Sequence, residues 1–173
     1  MSLDAQPSLN GKLLDLRPLQ PDDFNDLYAV ASDPLIWEQH PVQDRYKRDV
    51  FECYFREALS SHGALVAIDR TTGKLIGASR FHGYDPDRSE VEIGWTFLAR
   101  SHWGGSYNGE MKHLMMQHAF RFVNTVVFLI APANVRSQRS VEKLGAIRTG
   151  SRLDGGGRES IVYQLTRSAF ERS

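Results

Sequence analysis

The chain has 173 residues, the size of one ordinary domain, with 41% hydrophobic and 24% charged residues. Its 21 Lys and Arg balance its 21 Asp and Glu, so no global basic field exists to gather nucleic acid. Cys53 is the only cysteine, which excludes an intrachain disulfide and suits a reducing compartment. Residues 1–10 read as a flexible tail without a signal peptide, and residues 11–173 as a single domain. The longest apolar run, Val126 to Ala133, is strand length and far short of the roughly 20 residues a membrane span needs. The expectation is a cytoplasmic protein with no membrane or nucleic-acid partner.

Leu13 to Pro18 reads as a first strand stopped by proline. Pro21-Asp22-Asp23 opens a helix to about Ala31, with acids in its first turn where the helix dipole favours them. Asp33-Pro34 breaks it, and Leu35 to Arg45 reads as irregular. Lys47 to Leu59 carries Val50, Phe51, Tyr54, Phe55 and Leu59 at helical spacing and ends near Gly63. Ala64–Ile68 and Leu75–Phe81 read as a strand pair around the turn Asp69 to Gly73, and Glu90–Phe97 as a half-exposed strand. Asn108 to Phe122 is helical, with Met111, Leu114, Met115, His118, Ala119 and Phe122 on one face. Val126–Ile130 is a buried strand, and Asn134–Leu144 a helix capped by Gly145. Ile147–Leu153 and Glu159–Leu165 flank Asp154-Gly155-Gly156-Gly157 as a closing hairpin. The order β-α-α-β-β-β-α-β-α-β-β makes an α/β domain with a mixed sheet.

Two stretches carry chemistry. Trp103-Gly104-Gly105-Ser106-Tyr107-Asn108-Gly109 follows a strand and opens a helix. Glycines there let backbone approach a ligand, and the unpaired amides of a helix start attract an anion such as a pyrophosphate. A loop that merely turns the chain is the plainer reading. The dinucleotide fingerprint G-x-G-x-x-G is excluded by spacing, because Gly104, Gly105 and Gly109 break it. The second stretch, Asn134 to Gly145, starts a helix after a buried strand. Asn134 and Ser137 there are either caps or site residues.

Together these stretches resemble the GNAT superfamily of acetyltransferases. The nearest branch is the RimJ/RimL-type enzymes, whose run Tyr-Trp-Gly-Lys-Gly-Tyr-Ala-Thr-Glu-Ala is similar to His102 through Met111. The family's Asn-x-x-Ser and Glu-Lys-x-Gly patterns match Asn134, Ser137, Glu142, Lys143 and Gly145, and Glu92-Ile93-Gly94-Trp95 is similar to its Glu-Ile-Gly-Tyr. The likeness runs from about Leu13 to Leu165. Ser101 departs from the usual Gln or Arg, Ser106 from the second small residue, and Ala146 from the usual Phe.

The resemblance implies a mixed, mostly antiparallel twisted sheet with flanking helices and splayed central parallel strands. It also implies acetyl-CoA as co-substrate and no metal. Backbone around Thr96, Phe97 and Leu98 would pair with pantetheine, beside a bulge near Gly94. Trp103, Gly104, Gly105, Ser106, Tyr107, Asn108 and Gly109 would cradle the diphosphate. Ser137 would protonate the leaving thiolate and Asn134 would orient CoA. The implied acceptor is a primary amine, either a protein or peptide N-terminus or a small molecule, and a homodimer is compatible with this reading. A non-catalytic acyl-CoA-binding module is the rival.

Glu92 leads the candidates for general base, ahead of Glu90 and His40. Trp37, His40 and Tyr84 are candidate acceptor-site residues because they lie outside the CoA motifs. His102, His113 and His118 lack metal-ligand spacing. Cys53 and the Met111, Met115 and Met116 cluster read as packing. Arg136, Arg139, Arg148, Arg152 and Arg158 either hold phosphates or are solvated surface.

Overall fold

The computed structural model describes residues 1–154 and 156–173; Gly155, expected in the turn of the closing hairpin, lies outside them. The elements are β1 (Leu9–Asn10), β2 (Leu14–Pro18), α1 (Phe24–Ala31), α2 (Arg48–Ser61), β3 (Ala64–Asp69), β4 (Leu75–Asp85), β5 (Glu90–Leu98), α3 (Tyr107–Ala119), β6 (Thr125–Ile130), α4 (Val135–Lys143), β7 (Ile147–Leu153), β8 (Glu159–Thr166) and α5 (Arg167–Glu171). They form an eight-stranded sheet ordered β1-β2-β3-β4-β5-β6-β8-β7. Every neighbouring pair is antiparallel except β5 with β6, which run parallel.

Strand alternation sorts the side chains into two layers. Leu14, Leu16, Val91, Ile93, Val126 and Phe128 pack with Met111, Met115 and Met116 of α3 on one face. Val66, Ala78 and Phe97 pack with Leu27 of α1 and Phe51, Tyr54 and Phe55 of α2 on the other. The first strand is locked to the turn before α1 by Arg17, whose guanidinium meets both oxygens of Asp23 at 2.9 and 2.7 Å. Asp23 in turn accepts from the Gln20 amide at 2.8 Å, which satisfies a donor at the entry to the helix.

Several expectations shift. β4 runs to Asp85, four residues past Phe81, because it keeps pairing with β5 beyond a register irregularity between His82 and Asp85. α2 ends at Ser61, and His62 rather than Gly63 takes the left-handed cap at φ +52°. α3 spans Tyr107–Ala119; its last residues turn towards β6 through Phe122 N–H to Ala119 C=O at 2.8 Å. Cys53 is exposed on α2 rather than packed. Residues 1–10, expected as a tail, lie along the α3 face. Leu3, Ala5 and Leu9 touch the core, and His118 Nε2 contacts the Asp4 carbonyl at 2.7 Å.

Candidate active site

Parting of β5 from β6 makes the site. Their parallel ladder comprises Glu90–Thr125, Val91–Val126 and Glu92–Val127, and it stops there. β5 continues to Leu98 and β6 to Ile130 without pairing to each other. On its other side β5 is bulged: Arg80 pairs with Gly94 and Ala78 with Phe97, so Trp95 and Thr96 together face Ser79. Trp95 takes φ +52°, a strained conformation for so large a residue. Its carbonyl accepts from Tyr54 Oη at 2.9 Å, and its ring lies 4.4 Å from the Arg80 guanidinium, contacts that hold the strain in place. Thr96 Oγ1 and Ser79 Oγ meet at 2.9 Å across the bulge. The side chains of Thr96, Phe97 and Leu98 are thus committed to the protein, and only their backbone faces the gap.

The loop after β5 presents a row of donors. No backbone or side-chain acceptor among the described residues takes the amides of Gly104 through Gly109; the first helical bond runs from Glu110 N–H to Ser106 C=O at 2.9 Å. Gly104 needs its glycine, with φ +73°, while added Cβ atoms at Gly105 and Gly109 would meet open space. Six open amides at a helix start fit a diphosphate, both in charge and in reach.

Both ends of this loop are tied to one carboxylate. Buried Asp69 at the end of β3 takes His102 Nε2 at 3.0 Å and Tyr107 Oη at 3.2 Å. The His102 contact and then the Thr71 amide hold its carboxyl below the usual range. Trp103 donates its indole N–H to the Leu98 carbonyl at 2.9 Å, and Arg136 stacks on its ring at 4.3 Å. Tyr107 and Trp103 therefore shape the loop with their side chains.

α4 starts across the gap. Asn134, buried, caps the helix by accepting from the Ser137 amide at 3.2 Å. The Ser137 hydroxyl is half-buried and has no partner among the described residues. Asn108 Nδ2 reaches Ser140 Oγ at 2.5 Å and ties α3 to α4, so the two helix starts bracket the opening.

Beyond the last ladder pair, Glu92 and Glu90 point to the α2 face. Glu90 meets Arg152 at 3.4 Å. Burial raises the Glu92 carboxyl to about 7, against the lowering pull of Arg152 and Arg80. Gly94 leaves room for it: a Cβ there would sit 2.9 Å from Glu92 Oε2. His40 is driven the other way. Burial first, then the charges of Arg45, Arg136 and Lys112, lower it to about 4, which leaves a neutral imidazole of little basicity at pH 7.

The three candidate acceptor residues are not brought together. Trp37 is core, 1% exposed, with its indole N–H on the Ala31 carbonyl at 2.8 Å. His40 packs edge-on against it at 5.0 Å. Tyr84 packs on the opposite, α3 face of the sheet. The same wall holds residues that sequence reading passed over: Tyr54, Arg45 and Arg80. An arginine inside the apolar run Leu75 to Phe81 was the available signal. Lys112, on the buried face of α3, was another; burial lowers it to about 8.

A family model described as an acetyltransferase (GNAT) domain matches residues 14–147. The chain belongs to the GNAT acetyltransferases. No curated protein matches it in sequence. Among solved structures it is similar to a GCN5-related N-acetyltransferase from Brucella melitensis, at TM-score 0.85 and 20% identity over 96% of this chain and 81% of that one. The aminoglycoside acetyltransferase AAC(6')-Ib in complex with coenzyme A superimposes at TM-score 0.72 and 24% identity, over 92% and 98%. A spermidine N-acetyltransferase chimera from Vibrio cholerae and hSSAT does so at 0.71 and 15%, over 94% and 100%. This GNAT protein is accordingly an acetyl-CoA-dependent enzyme that acetylates an amine.

Proposed function

We propose that acetyl transfer takes place in the gap beyond Glu92 and Val127, by direct attack of a primary amine on the thioester. The observation that carries this reading is the coincidence of three features at one end of the β5–β6 ladder: parted strands, a row of open amides and a carboxylate raised to about 7. The amides of Gly104 to Gly109 would hold the diphosphate, and backbone from Thr96 to Leu98 would hold the pantetheine arm.

Acetyl-CoA supplies an acyl group already activated as a thioester. Glu92, ionised above pH 7, takes a proton from the attacking ammonium or amine, directly or through water. An N–C bond forms as the C–S bond breaks. Ser137 donates a hydrogen bond to the departing sulfur and passes on a proton that solvent replaces. Asn134 fixes Ser137 by capping the turn it sits on. Donors at the bulge stabilise the developing oxyanion, a contribution of about 3 kcal/mol each where mutagenesis has measured it.

The RimJ/RimL-like motifs support one finer reading, an N-terminal α-amine of a protein or peptide; the charge of the acceptor wall supports a small-molecule amine. A cytoplasmic location belongs to this proposal, and a homodimer is compatible with it. The test is a mass-spectrometric screen for acetylated products over peptides and small amines, with thiol release followed in parallel. Thiol release that depends on an amine, and is lost in Glu92→Gln, supports the reading. Acetyl transfer undiminished in that variant rejects Glu92 as the base.

A further inference from the structure

Arg80 is 4% exposed, and its Nε and Nη2 have no hydrogen-bond partner among the described residues. Buried charges are normally paired, so an open guanidinium edge is a vacant anion site unless something else explains it. Two aromatic faces hold its plane: the ring of Trp95 lies 4.4 Å away and that of Tyr54 5.6 Å. Such stacking fixes the fork without using its N–H groups. Arg45, from the segment between α1 and α2, lies 5.2 Å from the same Tyr54 ring and 5.7 Å from Trp37. It too forms no ion pair among the described residues. Burial holds both guanidinia below their usual range.

The neighbouring acids do not answer this charge. Glu57 is exposed on α2, Glu90 is taken by Arg152, and Asp154 serves Arg158 and its own turn. The cofactor's diphosphate is not the missing anion either, because its amides lie past Leu98, at the opposite end of β5 from Glu92. Register fixes the geometry. Arg80 pairs with Gly94, and His82, two residues on, pairs with Glu92, so Arg80 and Glu92 are diagonal neighbours about 7–8 Å apart. A molecule offering its amine to Glu92 therefore offers Arg80 whatever it carries a few bonds away.

Resting on the acetyl-transfer reading above, we infer that the acceptor is a small amine bearing a carboxylate within a few bonds of the reacting nitrogen, with Arg80 and Arg45 as its anion-binding pair. A polycationic acceptor of the kind named for the aminoglycoside and spermidine enzymes would meet like charge here.

The experiment acetylates a panel of α-, β- and aromatic amino acids, each as the free acid and as its own carboxamide, with spermidine and kanamycin included. At least one free acid is expected to exceed its amide by 100-fold or more in kcat/KM. Arg45→Gln and Arg80→Met are expected to reduce that ratio at least 10-fold while amide turnover stays measurable; a misfolded variant would lose both. Amides or polycations acetylated as well as acids overturn the inference and leave the transferase intact. If no amine is acetylated, the transferase reading fails, and the inference is judged by quenching of tryptophan fluorescence with the N-acetyl acids and their amides in the presence of CoA. Absence of any preference for the acids then overturns it as well.

Discussion

Glu92 and Val127 form the last pair of the parallel ladder, and the space for a cofactor begins one residue beyond them. The carboxylate therefore sits at the apex of the gap, half-buried between a strand pair that closes on one side and opens on the other. The same placement that strips it of water makes it a base matched to neutral pH.

That placement makes two expectations for Glu92→Gln. Activity depends on the ionised carboxylate, so kcat/KM of the native enzyme is expected to fall below about pH 7. The variant is expected to lose on the order of 100-fold at pH 8 and to keep only the limb set by the amine itself. Stability moves oppositely. The folded protein holds this proton between pH 4.5 and 7 while the unfolded chain releases it, so the native state loses stability as pH rises through that window. Urea unfolding at pH 8 is expected to find the variant more stable, by up to about 3 kcal/mol.

Ser137 and Asn134 separate by readout. Ser137→Ala removes a donor without touching the cap, so kcat is expected to drop roughly 10-fold with acetyl-CoA affinity nearly unchanged. Asn134→Ala removes the 3.2 Å bond to the Ser137 amide and is expected to cost about 1 kcal/mol of stability as well as activity. Steady-state kinetics beside calorimetric titration of CoA would check both.

The glycine loop gives a substitution that only a ligand should notice. Gly105→Val points into open space at a φ any residue can adopt, so thermal stability of the free protein is expected to change by less than about 0.5 kcal/mol. The stabilisation conferred by CoA in the same melts is expected to shrink sharply. Gly104→Ala behaves differently, because φ +73° strains it by about 1 kcal/mol even without ligand.

Lys112 carries a cost the fold tolerates. Buried against the Phe128 ring at 5.8 Å, with its amine lowered to about 8, it binds its proton less tightly when folded than when unfolded. Stability is therefore expected to rise with pH between about 8 and 10.5, and Lys112→Met to stabilise the protein at pH 7 by on the order of 1–3 kcal/mol. Chemical denaturation at pH 7 and pH 10 would check it.

Much of this was legible in the sequence because it depends on local rules. Period-two runs such as Ala64–Ile68 and Val126–Ile130 announced strands, and the change of period at Asn108 announced α3. The Gly94 bulge and the Gly104 to Gly109 loop were readable because glycine marks places where backbone must come close or turn left. What escaped reading depends on partners far along the chain. Arg80 looks like any strand arginine until Tyr54 and Trp95 are seen stacked on it. Trp37 looked like an acceptor residue because its indole bond to Ala31 closes only after α1 has ended. Tyr84 fell on the other face because the irregularity after His82 disturbs the alternation of β4.

The most direct measurement is hydrogen exchange with and without acetyl-CoA. Protection is expected at the amides of Gly104 to Gly109 and along β5 from Trp95 to Leu98, with little change at the β7–β8 edge. Saturating cofactor that leaves both stretches exchanging as before, or that protects only a distant surface, would contradict the site described for this acetyltransferase.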